Sequence, residues 1–220
     1  MRLSKSEEDY LKALFHLIME NEEEKAGTNQ LAEFLGLSPA SVNAMLKKLR
    51  AKKLVSYKKY GKLEMTQRGE ALAVQLIRKH RIWETFLYKH MNFTWDEVHE
   101  VAEQLEHIQS QKLIEEMDAF LGYPKTDPHG AVIPNKKGEY TVPPKLTLAD
   151  MSAGKRCLLV SVKDSSIGFL QYVNKIGLEL ANEILVLERQ KFDGSLNISF
   201  NDQTVTVSKK FAENVYVVEI

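Results

Sequence analysis

A chain of 220 residues, 44% hydrophobic and 27% charged, can bury a core in each of two or three small domains, which excludes a disordered polymer. Thirty basic side chains balance thirty acidic ones, so a nucleic-acid partner has to be argued from where the charges sit and not from their sum. Cys157 is the only cysteine, which excludes an internal disulfide framework and Cys-rich metal motifs and points to a cytosolic protein. Charges interrupt the first twenty residues, and no apolar run nears the roughly 18 residues that a spanning helix needs, so no signal peptide or membrane segment is expected.

In chain order, Ser4 and Glu7 are spaced as a capping box ahead of Tyr10, Leu11, Leu14, Phe15 and Ile18, which fall on one face of a first helix. Thr28 is placed to cap a short helix through Leu35, Gly36 breaks it, and Ser38-Pro39 opens a second helix with a capping hydroxyl and proline at its first position. That helix, residues 40–52, is expected to bury Val42, Met45, Leu46 and Leu49. Ser41, Asn43, Ala44, Lys47 and Lys48 then project outward, small and polar enough for a major groove, with Ser38 at the cap. Residues 54–57 and 63–66, joined by Lys58-Lys59-Tyr60-Gly61-Lys62, read as a hairpin, the wing of a winged helix-turn-helix. Between Lys47 and Arg68 nine basic residues face one acid, Glu64, so the electrostatic footprint of a DNA-binding protein is local. Lys58, Lys59 and Lys62 should hold phosphates, leaving base choice to Ser41, Asn43 and Ala44.

A long helix over 67–91 presents His80 and Glu84 at i and i+4. Thr94 and Glu97 form a second capping box, so a helix is expected from Trp95, placing His99, Glu103, Glu106 and His107 at offsets 0, 4, 7 and 8 on one arc. As a solvated stripe these residues would pair with Arg78, Lys79 or Arg81; as a buried set their carboxylates repel, and a divalent cation would compensate them. His99-Glu100-Val101-Ala102-Glu103 is one residue short of the H-E-x-x-H metalloprotease helix, with Glu103 where the second histidine belongs, and no nucleophile accompanies it. No catalysis is expected. Five of six prolines fall between Pro124 and Pro144, a linker or irregular loop. Beyond it, β-rich runs at 156–162, 183–188, 196–200, 204–207 and 215–220, with turn signals at Gly194 and Asn201-Asp202 and a helical piece at 169–176, predict a small barrel of about five strands. The fold class is α+β, with expected domains at 1–72, 73–144 and 145–220.

These motifs together resemble the diphtheria-toxin-repressor family of metal-activated transcription factors, and more closely its manganese-responsive branch in a three-domain form. The likeness is carried by Glu8-Asp9-Tyr10, the winged segment 29–66, Arg78-Lys79-His80-Arg81 with Glu84, Val98-His99 with Glu103, Glu106 and His107, Pro128-His129-Gly130 and Ile133-Pro134. It implies a winged domain, a helical dimerisation domain and a C-terminal SH3-like domain, acting as a homodimer on a palindromic operator in double-stranded DNA. It also implies a primary metal site of Asp9, Glu103, Glu106 and His107 and an ancillary site of His80, Glu84 and His99. The iron-responsive branch has methionine and cysteine at the positions of Asp9 and Glu103; oxygen donors there favour Mn²⁺, then Fe²⁺, with Zn²⁺ as a surrogate. Lys12 stands where two-domain manganese regulators carry a metal-binding glutamate, Asp164 or Ser166 is an expected third-domain ligand, and Ala181-Asn182 replaces the usual glycine of that domain's turn. Apolar faces with Trp83, Phe86, Leu87, Leu113, Met117 and Phe120 are candidates for dimerisation. The competing readings are a metal-independent winged-helix regulator with a structural metal site and an adaptor that binds a partner through its barrel.

Overall fold

The computed structural model describes residues 3–20, 27–57, 62–139, 146–164 and 166–220, without the side chains of 19 and 20. Lys58, Lys59, Tyr60 and Gly61 at the wing turn, and Pro143 and Pro144, therefore lie outside the described residues. By contact density the chain forms two compact units: Met1–His80 with Glu103–Glu116 and Pro134–Glu139, and Arg81–Ala102 with Met117–Ile133 and Tyr140–Ile220.

In the first unit, helix α1 (Lys5–Phe15) starts at Ser4, whose hydroxyl accepts from the Glu7 amide while the Glu7 carboxylate accepts from the Ser4 amide at 2.8 Å. Its buried face is Tyr10, Leu11, Leu14 and Phe15, with Ile18 half-buried in the π turn that follows. Helix α2 (Thr28–Leu35) is capped one residue earlier than expected, at Gly27, whose extended backbone donates to Gln30. Gly36, at φ +64°, ends it. Helix α3 (Pro39–Ala51) has the expected Ser38 cap and buries Val42, Leu46 and Leu49, with Met45 half-buried. Strands β1 (Val55–Tyr57) and β2 (Leu63–Met65) pair antiparallel, Val55 opposite Met65. The Thr66 hydroxyl then accepts from the Gly69 amide as α4 (Gln67–His90) begins. Gly69 is required there, since a Cβ would lie 2.0 Å from the Leu54 carbonyl oxygen.

Helix α5 (Val98–Leu105) begins after a turn at 95–97, later than its capping box implied, although the Glu97 carboxylate does accept from the Thr94 amide and hydroxyl. Helix α6 is Gln111–Phe120. Residues 121–133 of the second unit are irregular apart from a Thr126–Val132 bridge. There follow β3 (Leu146–Thr147), β4 (Arg156–Val162), α7 (Ile167–Lys175), β5 (Glu183–Arg189), β6 (Leu196–Phe200), β7 (Gln203–Val207), α8 (Lys209–Ala212) and β8 (Val215–Glu219). Among the described residues this is a six-stranded antiparallel sheet of order β3-β8-β4-β5-β6-β7, one strand more than the periodicity gave because the two-residue β3 is too short to show it. Irregularities at Leu159/Ser161 and Val186/Glu188 break the register and bend strands β4 and β5 around one core. Asn201 and Asp202 both take positive φ in the β6–β7 turn, as their sequence signalled.

Cys157 lies in this core opposite Glu219 of β8, and burial pushes its thiol up to about 11. The folded chain should therefore leave a colorimetric disulfide reagent unreacted at pH 8, and one thiol should appear on denaturation; rapid native reaction would contradict this packing.

Candidate metal centre and nucleic-acid face

Within the first unit, three consecutive acids of α1 engage Lys52 and the two ring nitrogens of His107. Glu7 Oε1 meets Lys52 Nζ at the end of α3 at 2.5 Å. Glu8 Oε2 lies 2.6 Å from His107 Nδ1, and its other oxygen accepts from Gln109. Asp9 Oδ1 lies 3.1 Å from His107 Nε2. Glu106 is wholly buried: both of its oxygens lie 2.9 Å from Lys12 Nζ, Oε2 lies 2.5 Å from His80 Nδ1, and Oε1 lies 3.8 Å from His107 Nε2.

The structure corrects the expected helical arc. Helix α5 stops at Leu105, and Glu106 and His107 sit in the following turn. The Lys79 ammonium donates to the Glu106 carbonyl at 3.0 Å and the Ile108 carbonyl at 3.4 Å, taking acceptors that a continuing helix would use. The turn points Glu106 inward. Asp9, Glu106 and His107 converge, each offering a ligand atom within 4.8 Å of the others. Glu103, half-exposed, reaches the Lys12 ammonium at 3.4 Å. His80 turns to Glu106, while Glu84, one turn further along α4, lies 3.1 Å from His99 Nδ1.

Burial would raise the Glu106 carboxyl, but hydrogen bonding and charge from His80, then Lys12, hold it below the ordinary 4.5. Asp9 shows the opposite balance: burial, with Glu106 repulsion, lifts it above 3.8 despite His107. The Asp9 side of the centre is thus short of positive charge. His107 Nε2 is buried without a hydrogen-bond partner and faces Asp9 and Glu106. Nδ1 lies against Glu8, so that carboxylate holds the ring with Nε2 turned to Asp9 and Glu106, the arrangement in which an outer carboxylate orients a metal-ligating histidine. Two carboxylates and one imidazole nitrogen make a donor set that fits a hard divalent cation.

Sequence reasoning did not find Glu8; an acid immediately before Asp9 was the available signal. It also missed a fully buried grouping in the second unit: Glu84, Asp127 and His129. His129 Nε2 lies 2.7 Å from the Trp95 carbonyl, leaving Nδ1 at 3.7 Å from Glu84 Oε1. Asp127 Oδ1 accepts from the His129 and Ala131 amides, and Oδ2 faces Arg81. Burial, then Glu84, raise the Asp127 carboxyl. Acid and imidazole two residues apart in a Pro-Gly loop were the signal. Asp164 accepts from the Ser166 amide at the start of α7.

On α3, Ser38, Ser41, Asn43, Ala44, Lys47 and Lys48 are all exposed, and Lys62 beside the wing turn is half-buried. Lys58 and Lys59 lie outside the described residues. Of the apolar candidates for dimerisation, Trp83, Leu87 and Met117 are buried, whereas Phe120 is 65% exposed and joins Phe86 and His90 in a surface aromatic cluster.

The fold and site define a winged-helix DNA-binding protein with a candidate hard-cation centre. Three family models match in order: the iron dependent repressor N-terminal DNA binding domain (residues 2–63), the iron dependent repressor metal binding and dimerisation domain (66–135) and the FeoA domain (146–219). A solved manganese-dependent transcriptional repressor in complex with manganese is 32% identical, covers 97% of this chain and 100% of its own, and superposes with a TM-score of 0.86. The manganese regulator SloR is 35% identical over the full length of both chains, with a TM-score of 0.81. The iron-dependent repressor IdeR of Mycobacterium tuberculosis is 32% identical over 127 residues, 58% of this chain. The chain spans 54% of that protein's length and 16% of another curated relative's. It belongs to the iron-dependent repressor family, the diphtheria-toxin-repressor-like group, whose members are metal-dependent DNA-binding regulators.

Gly130 follows His129 at φ +80°, and a Cβ there would lie 2.0 Å from the Val160 carbonyl oxygen. Gly130→Ala should destabilise the second unit by on the order of 3 kcal/mol, measured as a lower urea midpoint; an unchanged midpoint would show that this loop is not packed as described.

Proposed function

We propose that the chain is a metal-activated transcriptional repressor that responds to Mn²⁺, with Fe²⁺ as a second effector and Zn²⁺ as a surrogate, and that controls metal-ion homeostasis genes. It acts in the cytoplasm as a homodimer on a palindromic operator and catalyses no reaction. The observation that carries this reading is the convergence of Asp9, Glu106 and the orphaned His107 Nε2 in the same compact unit as helix α3. The functional domains are 1–72, 73–144 and 145–220, close to the limits of the family models.

In this reading Asp9, Glu106 and His107 hold the regulatory ion, with Glu103 at the rim; His80, Glu84 and His99 are the ancillary set that the family resemblance implies. A bound divalent cation supplies the positive charge that the Asp9 side lacks and ties α1 to the turn after α5. Glu8 holds the His107 ring in its ligating orientation. Glu7 clamps Lys52, so the helix that carries Asp9 also grips the end of α3. Ser41, Asn43 and Ala44 then face base edges from the exposed side of α3, and Lys47, Lys48 and Lys62, with Lys58 and Lys59, meet phosphates. Two such helices across a two-fold axis would address half-sites about 34 Å apart. Donors from α1 and from the turn after α5 must converge for metal to bind, so metal and operator strengthen each other's binding equally.

Operator affinity with Mn²⁺ should exceed that with chelator at least tenfold, ~1.4 kcal/mol of coupling. Asp9→Ala should abolish the difference while keeping the fold. Equal affinity in both conditions would leave a metal-independent regulator instead. Separately, Lys58→Ala with Lys59→Ala should weaken binding to every sequence alike and reduce the salt slope of the dimer by about four, two contacts on each protomer; an unchanged slope would remove the wing from the interface.

A further inference from the structure

A cavity of about 740 Å³ opens within the second unit, between the end of α4, the turn at 92–95, the loop at 126–128 and residues 174–180 around the end of α7. Its size is that of a small-molecule site, roughly 300–1,000 Å³. Its walls are tied together: the Asn174 side-chain amide donates to Asp96 at 3.1 Å, and His129 Nε2 lies 2.7 Å from the Trp95 carbonyl. Tyr88, Phe93, Trp95, Leu178 and Leu180 give it an apolar surface, and two charges stand on separate walls, Lys89 on α4 and Glu179 in the turn after α7. Both are exposed, and neither has an ion-pair partner among the described residues. Thr85, Tyr88 and Lys89 share one side of α4. At about 100° per residue Trp83, Phe86 and Leu87 fall on the other side, so a homodimer built on those does not use this wall.

We infer that this cavity binds a short peptide with free ends and apolar side chains, its terminal carboxylate at Lys89 and its terminal ammonium at Glu179. Two charges of opposite sign that line one cleft without pairing match a ligand that carries both, and a peptide does so with an apolar body between them. Its side chains lie against Tyr88, Phe93 and Leu178, where burial of apolar surface supplies most of the affinity. The end contacts select the ligand: each is a solvent-exposed ion pair, which changes affinity a few-fold and not by orders of magnitude. Asn174 and His129 already hold the walls in place, so binding requires little reorganisation. A peptide seated there bridges α4 to the turn after α7 and stabilises the folded chain by mass action. This site goes beyond the metal-sensing reading and does not depend on it.

The test uses the full chain and trileucine as the probe, in free, N-acetylated and C-amidated forms, with affinity read by isothermal titration calorimetry and stability by the urea midpoint. Free trileucine should bind the parent and raise its midpoint. Acetylation and amidation should each weaken binding about threefold to fivefold. Lys89→Gln should weaken free trileucine by the same factor and cancel the penalty of amidation while keeping that of acetylation; Glu179→Gln should do the converse. Lys89→Arg, which keeps the charge, should retain the preference for a free carboxylate. Both side chains are exposed, so the variants should keep the ligand-free midpoint of the parent. No binding by the parent, capped forms that bind as well as the free one, or penalties that neither neutral substitution cancels would each overturn the inference.

Discussion

A carboxylate with no exposure to water must be matched by positive charge, and Glu106 imposes that requirement on everything near it. Lys12 and His80 satisfy it from α1 and α4, two helices distant in sequence, and Lys79 fixes the backbone of the same turn through the Glu106 and Ile108 carbonyls. The compensation is uneven. Glu106 is held ionised, whereas Asp9 is pushed towards its neutral form, and the imidazole nitrogen between them has no hydrogen-bond partner. That imbalance, and not a ligand motif alone, is what the proposed hard-cation site at Asp9, Glu106 and His107 rests on.

The first helix is where this cluster meets α3, the proposed DNA-reading helix. Glu7, Glu8 and Asp9 are adjacent in sequence, yet they engage Lys52 of α3, the Nδ1 side of His107 and its Nε2 side. Adjacent helical residues point about 100° apart, which lets one turn reach Lys52 and both ring nitrogens of His107. The chemistry at Asp9 and the posture of α3 therefore share one short segment, fixed at its start by the Ser4–Glu7 capping box.

Much of the architecture was legible because its signals are local. The Ser4 box, the Ser38-Pro39 start of α3, the breaking Gly36, the outward-facing polar residues of α3 and the Asn201-Asp202 turn each depend on a few consecutive residues. What failed to show depended on contacts between distant segments. Extending the α5 phase through His107 assumed a continuing helix, whereas Glu106 and His107 form a turn whose Glu106 carbonyl is taken by Lys79, 27 residues before it. Glu8 stands out in the sequence only as the acid before Asp9, and its role appears once His107 lies beside it, 99 residues away. Asp127 and His129 become companions of Glu84 only once the Pro-rich segment is folded back, with Gly130 pressed against the Val160 carbonyl. Ala181, where the family resemblance led one to expect glycine, itself takes a positive φ.

The account stands on one cation position on the Asp9 side of the buried Glu106 carboxylate. Anomalous scattering at the manganese edge, from crystals of the full chain grown with Mn²⁺, tests this most directly. The account predicts a peak within coordination distance of Asp9, Glu106 and His107 Nε2, with the Lys12 ammonium still on the far side of Glu106. A map without density there, or with Asp9 and His107 turned apart into solvent, would contradict it.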